Sequence, residues 1–299
     1  MARLLRPLSI IAHWLRRNTS SGSRRNIAAH YDLGNEFFSL FLDETMAYSC
    51  AIFPHPQTTL FEASEAKFDR ICGKLALNCQ DHVLEIGSGW GGFAIYAAQK
   101  YGCRITTTTI SRKQFLYAIR QVELAGLKDR VTVIEKDYRE LCGSFDKLVS
   151  IEMIEAVGHQ YFDTFFRVCS ERLKPQGMML LQAIVIPDQP YESYRRSVNF
   201  IQRYIFPGGC LPSIGAISHS VGRATDFRLT HLEDITPHYA ETLALWRQRF
   251  HANLDRVRGL GFSEEFIRTW DFYFCYCEGA FRERAIGNVQ ILLNKPLSP

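Results

Sequence analysis

The stretch His82-Val83-Leu84-Glu85-Ile86-Gly87-Ser88-Gly89-Trp90-Gly91-Gly92 constrains this chain more than any other. β-Friendly residues run into an acid, then four glycines, then an apolar run from Phe93 to Ala98. That order reads as a buried parallel strand, a tight turn and the first turn of a helix. Glycines there let the backbone pass close beneath a bound ligand, where a Cβ would collide. The spacing differs from the G-x-G-x-x-G fingerprint, which turns a helix N-terminus toward a pyrophosphate.

Strands and helices alternate around this stretch. Strands are expected at 82–87, 103–110, 131–136, 145–151 and 178–186, and helices at 91–100, 111–126 and 160–173. Lys174-Pro175-Gln176-Gly177 reads as a turn before the fifth strand. Such alternation predicts a doubly wound, mainly parallel α/β sheet. The pattern breaks at 187–225, where Pro187, Pro190, Pro207-Gly208-Gly209 and Pro212 interleave with Tyr191, Tyr194, Phe200, Tyr204 and Phe206. This insertion reads either as a lid over an apolar substrate or as a segment packed on its own rings. A sixth strand near 227–233 follows. Next come a long helix carrying Leu243, Trp246, Phe250, Leu254 and Val257, a second helix at about 263–284, and a closing strand at Val289–Leu293.

A chain of 299 residues, 46% hydrophobic and 22% charged, suffices for one large α/β domain. Nine cysteines show no C-x-x-C pair or zinc-like spacing, so no metal is expected. Without a recognisable signal peptide they read as reduced cytosolic thiols. A net charge of +4 is modest for a phosphate-binding surface, which argues against nucleic acid. The charge is uneven: Arg3, Arg6, Arg16, Arg17, Arg24 and Arg25 precede the first acid, and Leu4, Leu8, Ile11 and Leu15 recur at helical spacing. Residues 1–25 are therefore expected to form a basic amphipathic arm, followed by one domain over 26–299. The arm suits an anionic membrane surface, at roughly 1 kcal/mol per arginine, or else packs on the domain with a solvated basic face. Ser20-Ser21-Gly22-Ser23 reads as a hinge.

The E-x-G-x-G-x-G spacing resembles the first nucleotide-binding loop of S-adenosylmethionine (SAM) methyltransferases. SAM carries no phosphate, so Glu85, able to meet its amino-acid or sulfonium end, makes more physical sense than a bare helix dipole. A plain βα turn and an NAD site are the alternatives. Ligands in open α/β sheets sit at the carboxyl ends of the strands. Strand two ends at Thr109-Ile110-Ser111 with Gln114 one turn on, where many SAM enzymes place a ribose-binding acid; here Thr109 and Gln114 would supply neutral hydrogen bonds. Strand three ends at Asp137-Tyr138, suited to the adenine amino group and a stacking contact. Strand four ends at Ile151-Glu152-Met153-Ile154-Glu155, with the two carboxylates on one helical face if a turn begins there. Strand five ends at Gln182-Ala183-Ile184.

HYDLGNEFF, YSCAIF, EIGSGWGG, TISRKQ, DYRE, SIEMIEAVG, YIFPGG, HYAETLALW and CEGAF occur in that order from about Asn26 to the C-terminus. Together they resemble the cyclopropane-fatty-acyl-phospholipid synthase family, in its shorter form without an extra N-terminal domain. The resemblance implies a class I SAM-dependent methyltransferase fold, with a seven-stranded, mostly parallel sheet. It implies methylenation by SAM of the cis double bond of an acyl chain, usually in a phospholipid, by a peripheral enzyme at the inner membrane surface. A homodimer is a further expectation. Tyr48, Ser49, Gly87, Gly89, Thr109, Ile110, Gln114 and Tyr138 fall at SAM-contact positions, and Glu85, Asp137 and Ile151 are counted with them. Relatives also hold a bicarbonate ion, whose holders match Cys50, Glu155, Ile184 through its backbone, Tyr239 and Cys277. The histidine that completes that set is replaced here by Gln182, and Ala156 follows Glu155 in place of another common histidine. Glutamine donates a hydrogen bond but does not titrate near neutral pH.

An alkene is a poor nucleophile, so the sulfonium methyl must be held close and in line; proximity supplies about 7–11 kcal/mol of such a barrier. Attack leaves a carbocation, best stabilised by aromatic faces and buried anions in a dry site. A base then removes a proton from the new methyl: bicarbonate oriented by Glu155 and Tyr239, or Glu155 itself. Proton loss elsewhere, or later hydride addition, gives a methylene or methyl-branched chain, and Gln182 motivates that second outcome. Methylation of a soluble amine is a third, since plant alkaloid N-methyltransferases share HYD, YSC and YIFPGG-like stretches. A SAM-binding protein without activity is the non-enzymatic rival. The alternative reading makes Cys50 and Cys277 ordinary buried thiols, Tyr239 a helix cap, and His30 and Asp32 helix-entry residues. Glu152 is placed beside the site without a catalytic role.

Overall fold

A computed structural model describes residues 19, 22–23 and 33–297. Seven strands form one sheet: β1 (His82–Ile86), β2 (Arg104–Thr109), β3 (Val131–Glu135), β4 (Phe145–Ile151), β5 (Leu173–Val185), β6 (Arg228–Asp234) and β7 (Gly287–Asn294). Their order is β3-β2-β1-β4-β5-β7-β6. β1 pairs parallel with β2 on one side and with β4 on the other, while β7 is antiparallel to both neighbours. The seven-stranded, mostly parallel α/β sheet expected from the sequence is therefore present.

Side-chain alternation divides the core. Val83, Val149 and Leu180 face a layer holding Phe68 and Ile71 of α2 (Leu60–Lys74) and Phe93 and Ala97 of α3 (Gly92–Tyr101). Their neighbours Leu84, Leu148 and Leu181 face Phe162, Phe165 and Phe166 of α5 (Phe162–Arg172). The helix α4 (Arg112–Leu124) lies between β2 and β3 in sequence. A third cluster is mainly aromatic. It joins Phe37 and Phe38 of α1 (Asn35–Ser39) to Trp246 and Phe250 of α8 (Thr236–Ala252) and to Trp270 and Phe274 of α10 (Glu264–Arg282). Phe37 meets the Trp270 ring edge-on at 4.7 Å; contacts of this kind contribute about 0.5–1.5 kcal/mol each beyond burial.

Several expectations need correction. Residues 174–177 do not precede β5: Leu173 already pairs with Phe145, Met178 pairs with Lys147, and the intervening residues loop out as a bulge within the strand. The long helix does not continue to Val257. It ends at Asn253, whose Nδ2 donates to the Arg249 carbonyl at 2.9 Å and to the Leu40 carbonyl at 2.9 Å, and a short α9 (Leu254–Gly259) follows. The 187–225 insertion divides. α6 (Asp188–Tyr194) and the π-helical turn Ile201–Ile205 lie toward the site described below, but α7 (Ile214–Ala224) buries Ile217 and Val221 in the core beside Phe165, as an ordinary sheet-covering helix. In the expected hinge, Gly22 and Ser23 are instead helical, with Gly22 N donating to Thr19 Oγ1 at 3.1 Å. The arm residues 1–18 and His30 and Asp32 lie outside the described residues.

At Gly92 a Cβ would lie 2.4 Å from the carbonyl oxygen of Thr45, whereas at Gly222, within α7, it would meet nothing within 4 Å. We expect Gly92→Ala to cost about 1–3 kcal/mol through overpacking and Gly222→Ala to stabilise by about 0.5–1 kcal/mol, as read by urea unfolding.

Candidate active site

The strand order reverses between β1 and β4, so the turns that follow these two strands flank a crevice at their carboxyl ends. A cavity of about 170 Å³ occupies it. All eleven residues expected to contact the cofactor line this cavity: Tyr48, Ser49, Glu85, Gly87, Gly89, Thr109, Ile110, Gln114, Asp137, Tyr138 and Ile151. Gly87 has φ +98° and would place a Cβ 3.1 Å from Met153. At Gly89, φ +49°, a Cβ would meet no protein atom within 4 Å, so a side chain there would take up ligand space. This cradle fits SAM.

Four of the polar residues have partners that refine their expected roles. Thr109 Oγ1 donates to Gln114 Oε1 at 2.9 Å, so these two orient each other. Both Asp137 oxygens are held by Arg139, at 2.7 Å from Nε and 2.6 Å from a terminal nitrogen. Glu85 is buried and accepts from Thr107 Oγ1 at 2.5 Å; burial raises its carboxyl to about 7. Lys67 was not singled out in the sequence. Its side chain is fully buried, donates to Ser49 Oγ at 2.7 Å, and feels the charges of Glu152, Asp43 and Glu85; burial lowers its pKa. The available signal was its spacing, since Lys67 interrupts the stripe Ala63–Ile71 on the inward face of α2.

A second, more apolar cavity of about 370 Å³ adjoins the first. Tyr48, Glu152 and Ala156 line both cavities. Ile184, Tyr194, Ile201, Phe206, Tyr239, Tyr273 and Cys277 are among the walls of the second, so the first half of the insertion does cover it. Tyr276 also lines it, and joins Phe200, Tyr204 and Phe272 in an aromatic group in which Tyr204 and Phe272 are 58% and 51% exposed.

Several of the residues that the family resemblance assigned to bicarbonate bond to a protein carboxylate. The Tyr239 hydroxyl donates to Glu152 Oε2 at 2.6 Å, and the residue lies within α8 rather than capping it. Gln182 lines neither cavity. Its Nε2 donates to Glu152 Oε1 at 2.8 Å, and its Oε1 accepts from Gln290 at 3.0 Å. Cys50 also lines neither. Its thiol points to the Ala51 carbonyl at 3.2 Å, its backbone N–H donates to Glu152 Oε1 at 3.0 Å, and burial pushes the thiol well up. Glu155 and Cys277 do line the apolar cavity. Glu155 Oε1 accepts from Ile184 N at 2.5 Å, while Oε2 is buried without a partner among the described residues. Burial first, then the Glu152 charge, raise Glu155 to about 8. Burial likewise moves the Cys277 thiol up to about 12. Glu152 and Glu155 do not share a helical face: Glu152 stands at φ +49°, before the 3-10 turn Ile154–Ala156.

Glu155 loses its proton at about 4.5 when exposed but at about 8 in the fold. Its contribution is therefore complete below about 4.5 and is lost as pH rises to about 8, at up to about 1.4 kcal/mol per pH unit. We expect Glu155→Gln to flatten the fall in urea-unfolding free energy between about pH 5 and about pH 8; equal slopes for the two proteins would show a solvated carboxyl instead.

Residues 18–291 match the family described as mycolic acid cyclopropane synthetase. The tuberculostearic acid methyltransferase UfaA1 of Mycobacterium tuberculosis is 42% identical over 288 residues, 90% of this chain and 67% of that protein. The cyclopropane-fatty-acyl-phospholipid synthase of Escherichia coli is 39% identical over 269 residues, 89% of this chain and 66% of that protein. Among solved structures, mycolic acid cyclopropane synthase CmaA1 complexed with SAH and CTAB superposes with TM-score 0.85 at 34% identity, covering 91% of this chain and 98% of the other. With the crevice, the glycine cradle and the adjoining apolar cavity in place, the chain belongs to the mycolic acid cyclopropane synthetase family of SAM-dependent fatty acyl-modifying enzymes.

Proposed function

We propose that this enzyme alkylates the cis double bond of an unsaturated acyl chain lodged in the 370 Å³ cavity, with the cofactor in the neighbouring crevice. The observation that carries this reading is the shared wall: Tyr48, Glu152 and Ala156 border both spaces, so a reacting methyl and an alkene would meet there. When bound, SAM supplies an electrophilic methyl group. Glu85, the glycine turn and the Thr109–Gln114 pair orient the cofactor. Tyr48, held by the Tyr273 hydroxyl at 3.0 Å, and Phe206 present ring faces to the cation that methyl addition leaves on the acyl chain. Dry walls strengthen the pull of buried carboxylates on that cation.

Proton loss from the new methyl closes a cyclopropane, which is the leading product. Identity of 42% with a protein named as a tuberculostearic acid methyltransferase, and Gln182 at the histidine position, favour a second outcome. In it, hydride migration from the methylated carbon turns a secondary cation into a tertiary one before proton loss, leaving a methylene group. Membrane lipids from cells expressing the chain and fed methyl-labelled methionine should gain one labelled methylene unit, seen by mass spectrometry. Resistance of that product to hydrogenation identifies the ring; uptake of two hydrogens identifies the methylene; no labelled lipid sinks the acyl-chain reading.

The lipid is presented from a membrane surface, and the exposed rings of Tyr204 and Phe272, with Arg203 against Tyr204 at 5.2 Å, suit an interfacial contact beside the cavity. Replacing both Tyr204 and Phe272 by Ser should reduce co-sedimentation with anionic phospholipid vesicles several-fold and leave the melting temperature within a few degrees. Unchanged sedimentation would remove this surface from the reading.

A further inference from the structure

The resemblance that led to bicarbonate assigns it Cys50, Glu155, Ile184 through its backbone, Tyr239, Cys277 and the residue at 182. In this chain Cys50, Tyr239 and Gln182 meet a carboxylate of the protein itself. Glu152 Oε1 accepts from Cys50 N at 3.0 Å, Gln182 Nε2 at 2.8 Å and Asn288 Nδ2 at 2.6 Å; Oε2 accepts from Tyr239 at 2.6 Å. The remaining backbone donor, Ile184 N, is taken by Glu155. A bicarbonate placed here would find Cys50 N, Gln182, Tyr239 and Ile184 N already engaged and two carboxyl groups beside it. The residues present do not fit that ion. We infer that Glu152 replaces bicarbonate as the base of the reaction, a built-in carboxylate that makes this enzyme independent of the ion.

Three observations support the assignment, which rests on the alkene-alkylation reading above. Glu152 lines both cavities, as a base acting on the transferred methyl must. All four neighbours are donors, the partner set of an ionised carboxylate, and they divide unequally: Oε1 holds three, while Oε2 holds Tyr239 alone among the described residues and keeps a lone pair for a proton. Glu152 is also a non-glycine residue at φ +49°, a conformation an L-residue holds only where its surroundings impose it. Glu155 is placed otherwise, with an unpartnered buried oxygen and a carboxyl that keeps its proton at neutral pH. In the step, the C–H electron pair of the new methyl becomes the closing ring bond, or the methylene double bond after hydride migration. The proton passes to Glu152 Oε2 and then to solvent once product leaves. Gln182, Asn288 and Tyr239 are positioning residues for this base.

The test pairs turnover with anion binding. Glycine suits the left-handed backbone at 152, so Glu152→Gly removes the carboxylate while relieving backbone strain. In carbon-dioxide-depleted buffer the wild type should turn over at the same rate with and without added bicarbonate. Glu152→Gly should lose at least about 10²-fold, the usual contribution of a positioned base, and regain part of it with bicarbonate or formate. By 13C NMR, labelled bicarbonate should bind Glu152→Gly and not the wild type. If Glu152→Gly does not fold, Glu152→Gln serves: it should be as impaired and not rescued, because its amide fills the space. Bicarbonate binding by the wild type, or a saturable rise in its rate with bicarbonate, overturns the proposal. If no acyl lipid is turned over, the functional reading fails separately, and the binding experiment alone decides: binding confined to Glu152→Gly supports the built-in carboxylate, and binding to the wild type overturns it.

Discussion

Parallel pairing of β1 with β4 at the point where strand order reverses is the constraint on which the rest of the molecule depends. The register Val83–Lys147, Leu84–Leu148, Glu85–Val149 brings the ends of the two strands level. The glycine turn after β1 and the Glu152 turn after β4 therefore open on the same side of the sheet. Neither turn forms a site alone. A floor of backbone that approaches closely at Gly87 and Gly89 becomes useful only because a carboxylate arrives from the adjacent strand. The segment Thr45–Ser49 closes this space from above the sheet edge, tied down where the Thr45 carbonyl packs on Gly92 and where Ser49 receives Lys67.

Charge in this interior is dense for so apolar a setting. Asp43, Glu85 and Glu152 each act on Lys67 within the fold, and burial raises Asp43 and lowers Lys67 from their ordinary titration. Removing ions from water costs several kcal/mol each unless hydrogen bonds and opposite charges compensate. Here Asp43 accepts from Ser64 Oγ at 2.7 Å and Thr45 N at 2.7 Å, and Glu85 accepts from Thr107. Lys67 thus faces three acidic side chains, and the surplus of acid over base gives this part of the described interior a negative lean. Such a field opposes binding of further anions and favours a transient cation, the electrostatic character that alkylation of a double bond demands.

The architecture and the cofactor crevice were largely legible in the sequence, because both follow from local rules. Strand periodicity and glycine spacing are written in contiguous residues, and every expected cofactor contact lines the crevice. The second site was legible only as a set of names. Gln182, Cys50 and Tyr239 were grouped by resemblance, and in the fold all three hydrogen-bond to Glu152, which the sequence placed beside the site without a role. That convergence has a physical source. A left-handed residue between a strand and a 3-10 turn redirects its side chain in a way no periodicity reports, and Asn288 joins the group from a strand 136 residues away. Lys67 was hidden differently, by the habit of reading lysine as solvent-facing on an amphipathic helix. The break at Asn253 and the bulge at 174–177 were missed because apolar spacing continues across the first and turn-forming residues mimic a boundary at the second.

The position of β7 bears on how the chain reaches this state. β7 lies between β5 and β6 and is the neighbour through which β6 joins the sheet. During synthesis β6 emerges more than 50 residues before β7 begins, judged from the ends of the two strands at 234 and 287. Until then β5 presents an open edge, and β6 has nothing in the sheet to pair with. Asn288 and Gln290, which brace Glu152 and Gln182, arrive on the same late strand. A nascent chain can thus assemble the cofactor half early while the Glu152 carboxylate waits for its last hydrogen-bond partner. That order leaves a hydrophobic strand edge exposed to chaperones or to other chains for the whole interval.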